Sequence, residues 1–535
     1  MPSTGPELNV LNVVLAAVPI AILIITMLVS ALKWSAPKAG AVAWLAAAGL
    51  ALLVFGADER VLAIGSSKGL SLSLFVLTII WTSVMLYNVI ERINGITVIG
   101  RTITGLVRDP LAQALVVGWA FSGLIQGVAG FGLPIAVVAP FMVMIGFRPA
   151  TAVAITLVGH AWAVTFGSLG SSYYTIQLVS GLDERALGVQ MAAMFVLPTI
   201  LTGFAVAHLQ GGFASLRRGA FAILVMGAAM SAGLWVTAFL GAYQVASVVG
   251  GLIGCVVGWW IFRLPIFGLS GNGDNASPST EQPAGKSNGI GFHTAFLPYY
   301  LLFGLSLLSQ LPPVRELGSN PYFGLNFPPT ETALGFPVEG QDGYAKIKLL
   351  NHPAPLIVAS LLIAYVVYKV RGHWKGEVLR PAARKTYEQV ISNSVGVATM
   401  VMMALVMTDT GMTALLGSAI AKGTGTLFPI FSPYIGVLGA FMTGSNTNSN
   451  AMFGALQVET AAALGIGLVT IAATQSIGGS LGSSVAMSKV MAGTAVVGLG
   501  GREREVLVKT IPYCLVLVLV AGLQAWVIIN LLGGV

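Results

Sequence analysis

The chain has 535 residues, 56% of them hydrophobic and only 9% charged, and its mean hydropathy is +0.86. Soluble domains carry about 25% charged residues, so a soluble fold is excluded, and apolar runs approaching the roughly 20 residues that cross a bilayer, without strand alternation, exclude a β-barrel. The net charge of +8 is concentrated between the apolar runs, where it reports topology rather than nucleic-acid binding.

The N-terminal MPSTGPELNV has no basic region ahead of its apolar run, so the first span is expected to be retained rather than cleaved as a signal peptide. Spans are expected at about 8–32, 40–57 and 70–90, followed by a compact glycine-rich region at 111–180. Further spans read at about 187–208, 219–240, 244–263, 294–310, 354–370 and 390–408. A second glycine-rich region covers 427–499, and a last span about 511–532. Cys255 and Cys514 each lie in an apolar run, which suggests neither a disulfide framework nor a metal site. No nucleotide-binding motif and no cofactor motif is present.

Basic residues set the expected orientation. Lys33 and Lys38, the Arg92–Arg108 stretch, Arg217 and Arg218, Arg263, and the run from Lys369 to Lys385 alternate consistently if all are cytoplasmic. Both termini then fall outside the inner membrane, as does the 311–352 segment. The stretch 266–293, with GNGDNASPSTEQPAGKSNG, reads as a cytoplasmic linker between an N-terminal half, 1–265, and a C-terminal half, 294–535.

The halves share a pattern. GSLGSS occurs at Gly167–Ser172 and again at Gly479–Ser484. AFSGLIQGVAGFG precedes the first copy and AFMTGSNTNSN the second. The flanking charges place the two copies in opposite orientations, so the expected fold is an all-α polytopic membrane protein with two inverted repeats. Their broken helices or re-entrant hairpins should meet near the midplane, with about 12–16 membrane passes.

Seven residues without a hydrophobic side chain, Gly444–Asn450, interrupt the second repeat. Such a segment is tolerated at membrane depth only inside protein or along a wet cavity. Helix ends at a break expose N–H groups suited to a carboxylate. Candidate substrate-binding residues are therefore Gln126, Gly130, Phe131 and Gly132 at the first break, and Ser445, Asn446, Thr447, Ser449 and Asn448 at the second. Ser168, Ser171, Ser480 and Ser483 on the following segments join them, although small residues also serve helix packing. His160, Asp409 and Glu459 are candidates for the coupling proton, since ionisable groups within spans are costly. Lys489 suits either an anion counter-charge or a snorkelling side chain.

The stretches GTGTLFPIFSPYIGVLGAFMTGSNTNSNAMFGALQ, QGVAGFGLPIAV and VTFGSLG resemble the L-lactate permease family, within the wider superfamily of inverted-repeat ion transporters. The resemblance holds over most of the chain, weakly in 190–390. It implies symport of lactate and related short 2-hydroxy acids with protons by a moving transport domain. The family's acids fall at Gln126 and Asn446 here, its Asn-Thr pair at Gly159-His160-Ala161, and a lysine at Ser483, with Lys489 six residues on. The expected function is secondary transport of small organic anions, with a lipid bilayer as surroundings and no nucleic-acid partner. One alternative is another small organic acid or sulfonate on the same fold, imported or exported. A remote one is an intramembrane hydrolase pairing His160 with a serine.

Overall fold

The structure, a computed structural model, describes residues 5–28, 34–130, 132–267, 290–318, 320–374 and 376–533. Lys33, Phe131 and residues 268–289 of the expected linker lie outside them. Eleven helices among the described residues are long and apolar enough to span a bilayer, or twelve with one bent pair counted as a span. The first two, Val10–Leu28 and Ala36–Leu53, pack on each other. Ala36–Leu53 then turns a stripe of Ala39, Gly40, Ala43, Ala47 and Ala51 inward, and Gly40 abuts Thr399 and Met400. Small side chains allow this close approach, which lipid-driven burial alone does not supply.

The third span corrects the sequence reading. It begins at Glu59 rather than near 70 and runs 34 residues to Arg92. Asp58 caps it by accepting the Val61 N–H at 2.7 Å. Its first turns look polar in sequence, but Ser73 Oγ donates to Gly69 O at 2.7 Å and Ser66 Oγ accepts the Trp44 indole N–H at 3.2 Å. The helix lies antiparallel to Leu379–Asp409. Lys68 pairs with Asp409, Trp81 with Ser394, Asn88 with Thr386 and Gln389, and Glu91 with Lys385. Ion pairs of opposite sense thus join the two helices near both ends.

Each glycine-rich region forms four helices with two breaks. The first region contains Pro110–Gln113, continued by Ala114–Phe121 and Ser122–Val128, then Leu133–Met144, Pro149–Gly159 and Gly167–Ser180. The second contains Phe428–Thr443, Asn446–Leu464, Leu468–Gly482 and Met487–Val496. The last helix of each region crosses onto the other. Gly167–Ser180 packs on Asn446–Leu464, where a Cβ on Gly454 would lie 2.5 Å from Val179 and 2.7 Å from Ile176. Met487–Val496 packs on Leu133–Met144 and Pro149–Gly159, where a Cβ on Gly493 would lie 2.7 Å from Ile135 and Val153.

The expected spans at 187–208 and 219–240 are joined within Val196–Phe239, which folds back at Gly211–Gly212, with Gly212 at φ +65°. Between Phe292–Ser309 and Pro353–Val370 stand two small antiparallel sheets absent from the sequence reading. Tyr322–Phe327 pairs with Gln341–Lys348, and Thr330–Glu331 with Pro337–Val338. The segment rests on the bundle through Ala333 N–H to Gly56 O at 2.7 Å and Gly5 N–H to Leu334 O at 3.1 Å.

Candidate functional site

The four breaks differ in local chemistry. At the first, Ala129 is extended and Gly132 left-handed at φ +83°. A Cβ on Gly130 would strike Ser168 Oγ and lie 3.0 Å from Gln126 Nε2, so only glycine lets these two segments touch. At the second, a turn at 161–163 follows His160, and the chain then holds Ser168, Leu169 and Gly170 left-handed, at φ 49°, 51° and 84°. Positive φ at two non-glycine residues costs on the order of 1–3 kcal/mol each and marks a backbone held by its surroundings. Pro149–Ala163 and Gly167–Ser180 meet there at 51°.

The third break is narrower than the polar heptad implies. Only Gly444, at φ +74°, and Ser445 stand outside helix. Ser445 caps the next helix by accepting Asn448 N–H at 3.3 Å. Asn446, Thr447, Asn448, Ser449 and Asn450 fill its opening turns and are buried. The fourth break covers 483–486 and begins within the second GSLGSS.

The first and second regions meet through a hydrogen-bonded cluster at these breaks. Asn446 Nδ2 donates to Thr165 Oγ1 at 3.1 Å and to Ser476 O at 3.2 Å. Thr165 N–H donates to Ser480 Oγ at 3.2 Å, and that hydroxyl donates to Ala161 O at 2.6 Å. Asn450 Nδ2 donates to Ser172 O and to Ser476 Oγ, both at 2.9 Å. Thr447 Oγ1 lies 3.0 Å from Ser172 Oγ and 3.5 Å from Ser171 Oγ. Ser449 instead faces its own region, donating to Gly436 O at 2.8 Å. In both regions the opening glycine of GSLGSS lies against an amide. A Cβ on Gly167 would be 2.9 Å from Gln126 Nε2, and one on Gly479 would collide with Asn446 Oδ1.

Several buried polar atoms in this zone have no partner among the described residues: Gln126 Oε1, His160 Nε2, the Oδ1 atoms of Asn446, Asn448 and Asn450, and Ser483 Oγ. A buried polar atom left unpaired costs about 1–3 kcal/mol. Atoms of this kind are satisfied by groups supplied from outside the chain, water or a polar ligand.

Of the ionisable candidates, His160 is fully buried at the second break, with Nδ1 2.6 Å from Thr156 O. No serine hydroxyl bonds its ring among the described residues, so the Ser/His hydrolase arrangement is not assembled. Asp409 lies elsewhere, 3.0 Å from Lys68 Nζ, and both side chains are nearly withdrawn from solvent. Glu459 is half-buried and shares with that pair a pocket of about 280 Å³, which Gln341 and Tyr344 of the strand segment also line. Lys489 is buried without a carboxylate partner among the described residues. Sequence reasoning missed Thr165, Ser476 and Lys68. Thr165 and Ser476 sit beside the two GSLGSS copies, which was the available signal. Lys68 was lost because its span was started two residues too late to include it.

A family model described as L-lactate permease matches residues 12–532. A putative L-lactate permease from Haemophilus influenzae is 26% identical over 97% of this chain and 99% of its own length. Glycolate permease GlcA of Escherichia coli K12 is 25% identical over 99% of this chain and 98% of its own. Among solved structures, the YdaH transporter of Alcanivorax borkumensis aligns with a TM-score of 0.44 at 13% identity, covering 87% of this chain and 86% of that one.

Proposed function

Because the chain belongs to the L-lactate permease family, we propose that it carries lactate- or glycolate-type 2-hydroxy monocarboxylates across the cytoplasmic membrane by symport with protons. It is a multi-pass membrane transport protein and not an enzyme. The observation that carries the substrate reading is the buried, charge-poor cluster where Asn446, Thr165, Ser476 and Ser480 tie the two broken regions together. Hydroxyl and amide groups of this kind hold a small anion weakly enough to release it, and a site between two broken modules suits alternating access. In this reading the two regions are inverted, the first entering the membrane from the cytoplasm and the second from outside, with both termini outside. His160, Asp409 and Glu459 are the groups through which the proton is coupled. The test is uptake of labelled L-lactate or glycolate into proteoliposomes. An inward proton gradient is expected to accelerate it, and uptake indifferent to the gradient would reject proton coupling while leaving transport standing.

A second cargo is favoured by one observation. Gln126 and Asn446, the amides against Gly167 and Gly479, are neutral at positions where the resembling motifs carry acids. A site with two fewer carboxylates suits a more strongly anionic ligand, such as a sulfonate or another small acid, imported or exported. Thermal-shift screening of carboxylates against sulfonates separates the two, since a bound ligand stabilises by RT ln(1 + [L]/Kd).

A further inference from the structure

We propose that Lys489, Ser483 and His160 form the subsite that reads a 2-hydroxy acid, with Lys489 and Ser483 on the carboxylate and His160 Nε2 on the 2-hydroxyl. This rests on the monocarboxylate reading above and assigns it to named atoms. Lys489 is 5% exposed, sits in the first turn of Met487–Val496, and has no acceptor or counter-ion among the described residues. An isolated buried ammonium is costly, and a bound anion removes most of that cost. Lys68, the other deeply buried lysine among the described residues, already has Asp409.

The helix aims Lys489 at the other region. Gly493, one turn on and on the same face, packs on Ile135 and Val153. Val490 joins Leu157 in the same apolar cluster, and Leu157 lies three residues before His160 on Pro149–Gly159. Ser480, three residues before Ser483, donates to the carbonyl of Ala161, the residue after His160, at 2.6 Å. The histidine is set up as an acceptor. Its Nδ1 lies 2.6 Å from Thr156 O, a carbonyl that only accepts, so Nδ1 carries the proton and buried Nε2 presents a lone pair with no donor. Ser483 Oγ, at the start of the break that precedes Met487–Val496, is likewise unpartnered and buried among the described residues. Its hydroxyl and the ammonium are donors, as a carboxylate requires, and the imidazole lone pair is an acceptor, as an alcohol requires. The neighbouring Ser488 is exposed and lies against Gly444 at the third break.

The experiment compares binding of L-lactate and of propionate, which lacks the hydroxyl, to purified full-length protein by thermal shift and equilibrium dialysis. K489M is expected to raise Kd for both by on the order of 100-fold, with K489R recovering most of the loss. H160F is expected to weaken L-lactate about tenfold and leave propionate unchanged. In the wild-type protein, saturating L-lactate is expected to shield Lys489 from acylation by an amine-reactive ester, read by mass spectrometry, whereas neutral lactamide does not; this holds whether or not the variants fold. Unchanged lactate binding in K489M, equal loss of both ligands in H160F, or equal acylation with and without lactate would overturn the subsite. Failure of the wild-type protein to bind any 2-hydroxy monocarboxylate would instead overturn the functional reading beneath it.

Discussion

Lys68 Nζ lies 3.0 Å from Asp409 Oδ2, joining the outer turns of two antiparallel helices from residues 341 positions apart. Removing one partner of a buried ion pair strands the other charge, which typically costs about 3–5 kcal/mol. K68M and D409N are each expected to lower the midpoint of thermal unfolding in detergent. The double replacement K68M/D409L should recover most of the loss, because a matched apolar pair strands nothing. A double variant as unstable as the sum of the singles would show that the two residues act independently.

Asn446 acts as a donor, its Nδ2 bonding Thr165 Oγ1 and the Ser476 carbonyl. An ionised carboxylate in that place accepts only and faces the Ser476 oxygen. N446D is therefore expected to lose transport at pH 7 by at least tenfold and to regain part of it as pH falls and the acid protonates. N446D activity that is flat between pH 5 and 7.5 in proteoliposome uptake would argue against the donor role.

Gly479 has no room for a side chain, since a Cβ would occupy the place of Asn446 Oδ1. G479A should displace that amide, lower stability by about 1–3 kcal/mol, and reduce uptake more than tenfold. Gly49, in Ala36–Leu53, faces open space. G49A is expected to transport normally and to gain up to about 1 kcal/mol from helix propensity. Equal effects of the two substitutions would remove the contact as the cause.

His352 supplies a pH signature outside the spans. It caps Pro353–Val370 by accepting the Ala354 N–H on Nδ1 at 3.1 Å, and its ring meets Phe75 edge-on at 4.2 Å. Burial pushes its imidazole down from 6.5 to about 4. Between those values the unfolded chain binds a proton that the folded chain refuses. This contribution is therefore complete above pH 6.5 and lost as pH falls toward 4, by up to about 3 kcal/mol. H352N, which keeps a capping acceptor, should flatten stability across that window. A slope identical to wild type would place its origin elsewhere.

The sequence carried local chemistry well and distant pairing poorly. Breaks at Gly132 and Gly444 were legible because glycine and polar runs are costly in lipid wherever they occur. The recurrence of GSLGSS drew attention to Ser171, Ser172 and Ser480, but their contacts with Thr447 and Ala161 were not legible in it. The width of the Gly444–Ser445 break was not legible, because asparagines that read as loop fill the opening turns of a helix once buried partners satisfy them. Lys68 was misplaced for the same reason. A hydropathy window sees a charge and ends the span, while the structure neutralises it with a carboxylate from the other half of the chain. The strands at Tyr322–Phe327 and Gln341–Lys348 went unread because proline and glycine punctuate the segment and no hydrophobic alternation marks it.

The opposed fastenings on the Glu59–Arg92 and Leu379–Asp409 pair, Lys68 to Asp409 at one end and Glu91 to Lys385 at the other, work like two rungs of a ladder. Sliding either rail by a single helical turn, about 5.4 Å, would part both rungs at once. Rearrangement during a transport cycle thus meets the stiffest resistance along this axis. The glycine-jointed segments around it carry no ion pair from one region to the other among the described residues, and yielding is expected there first.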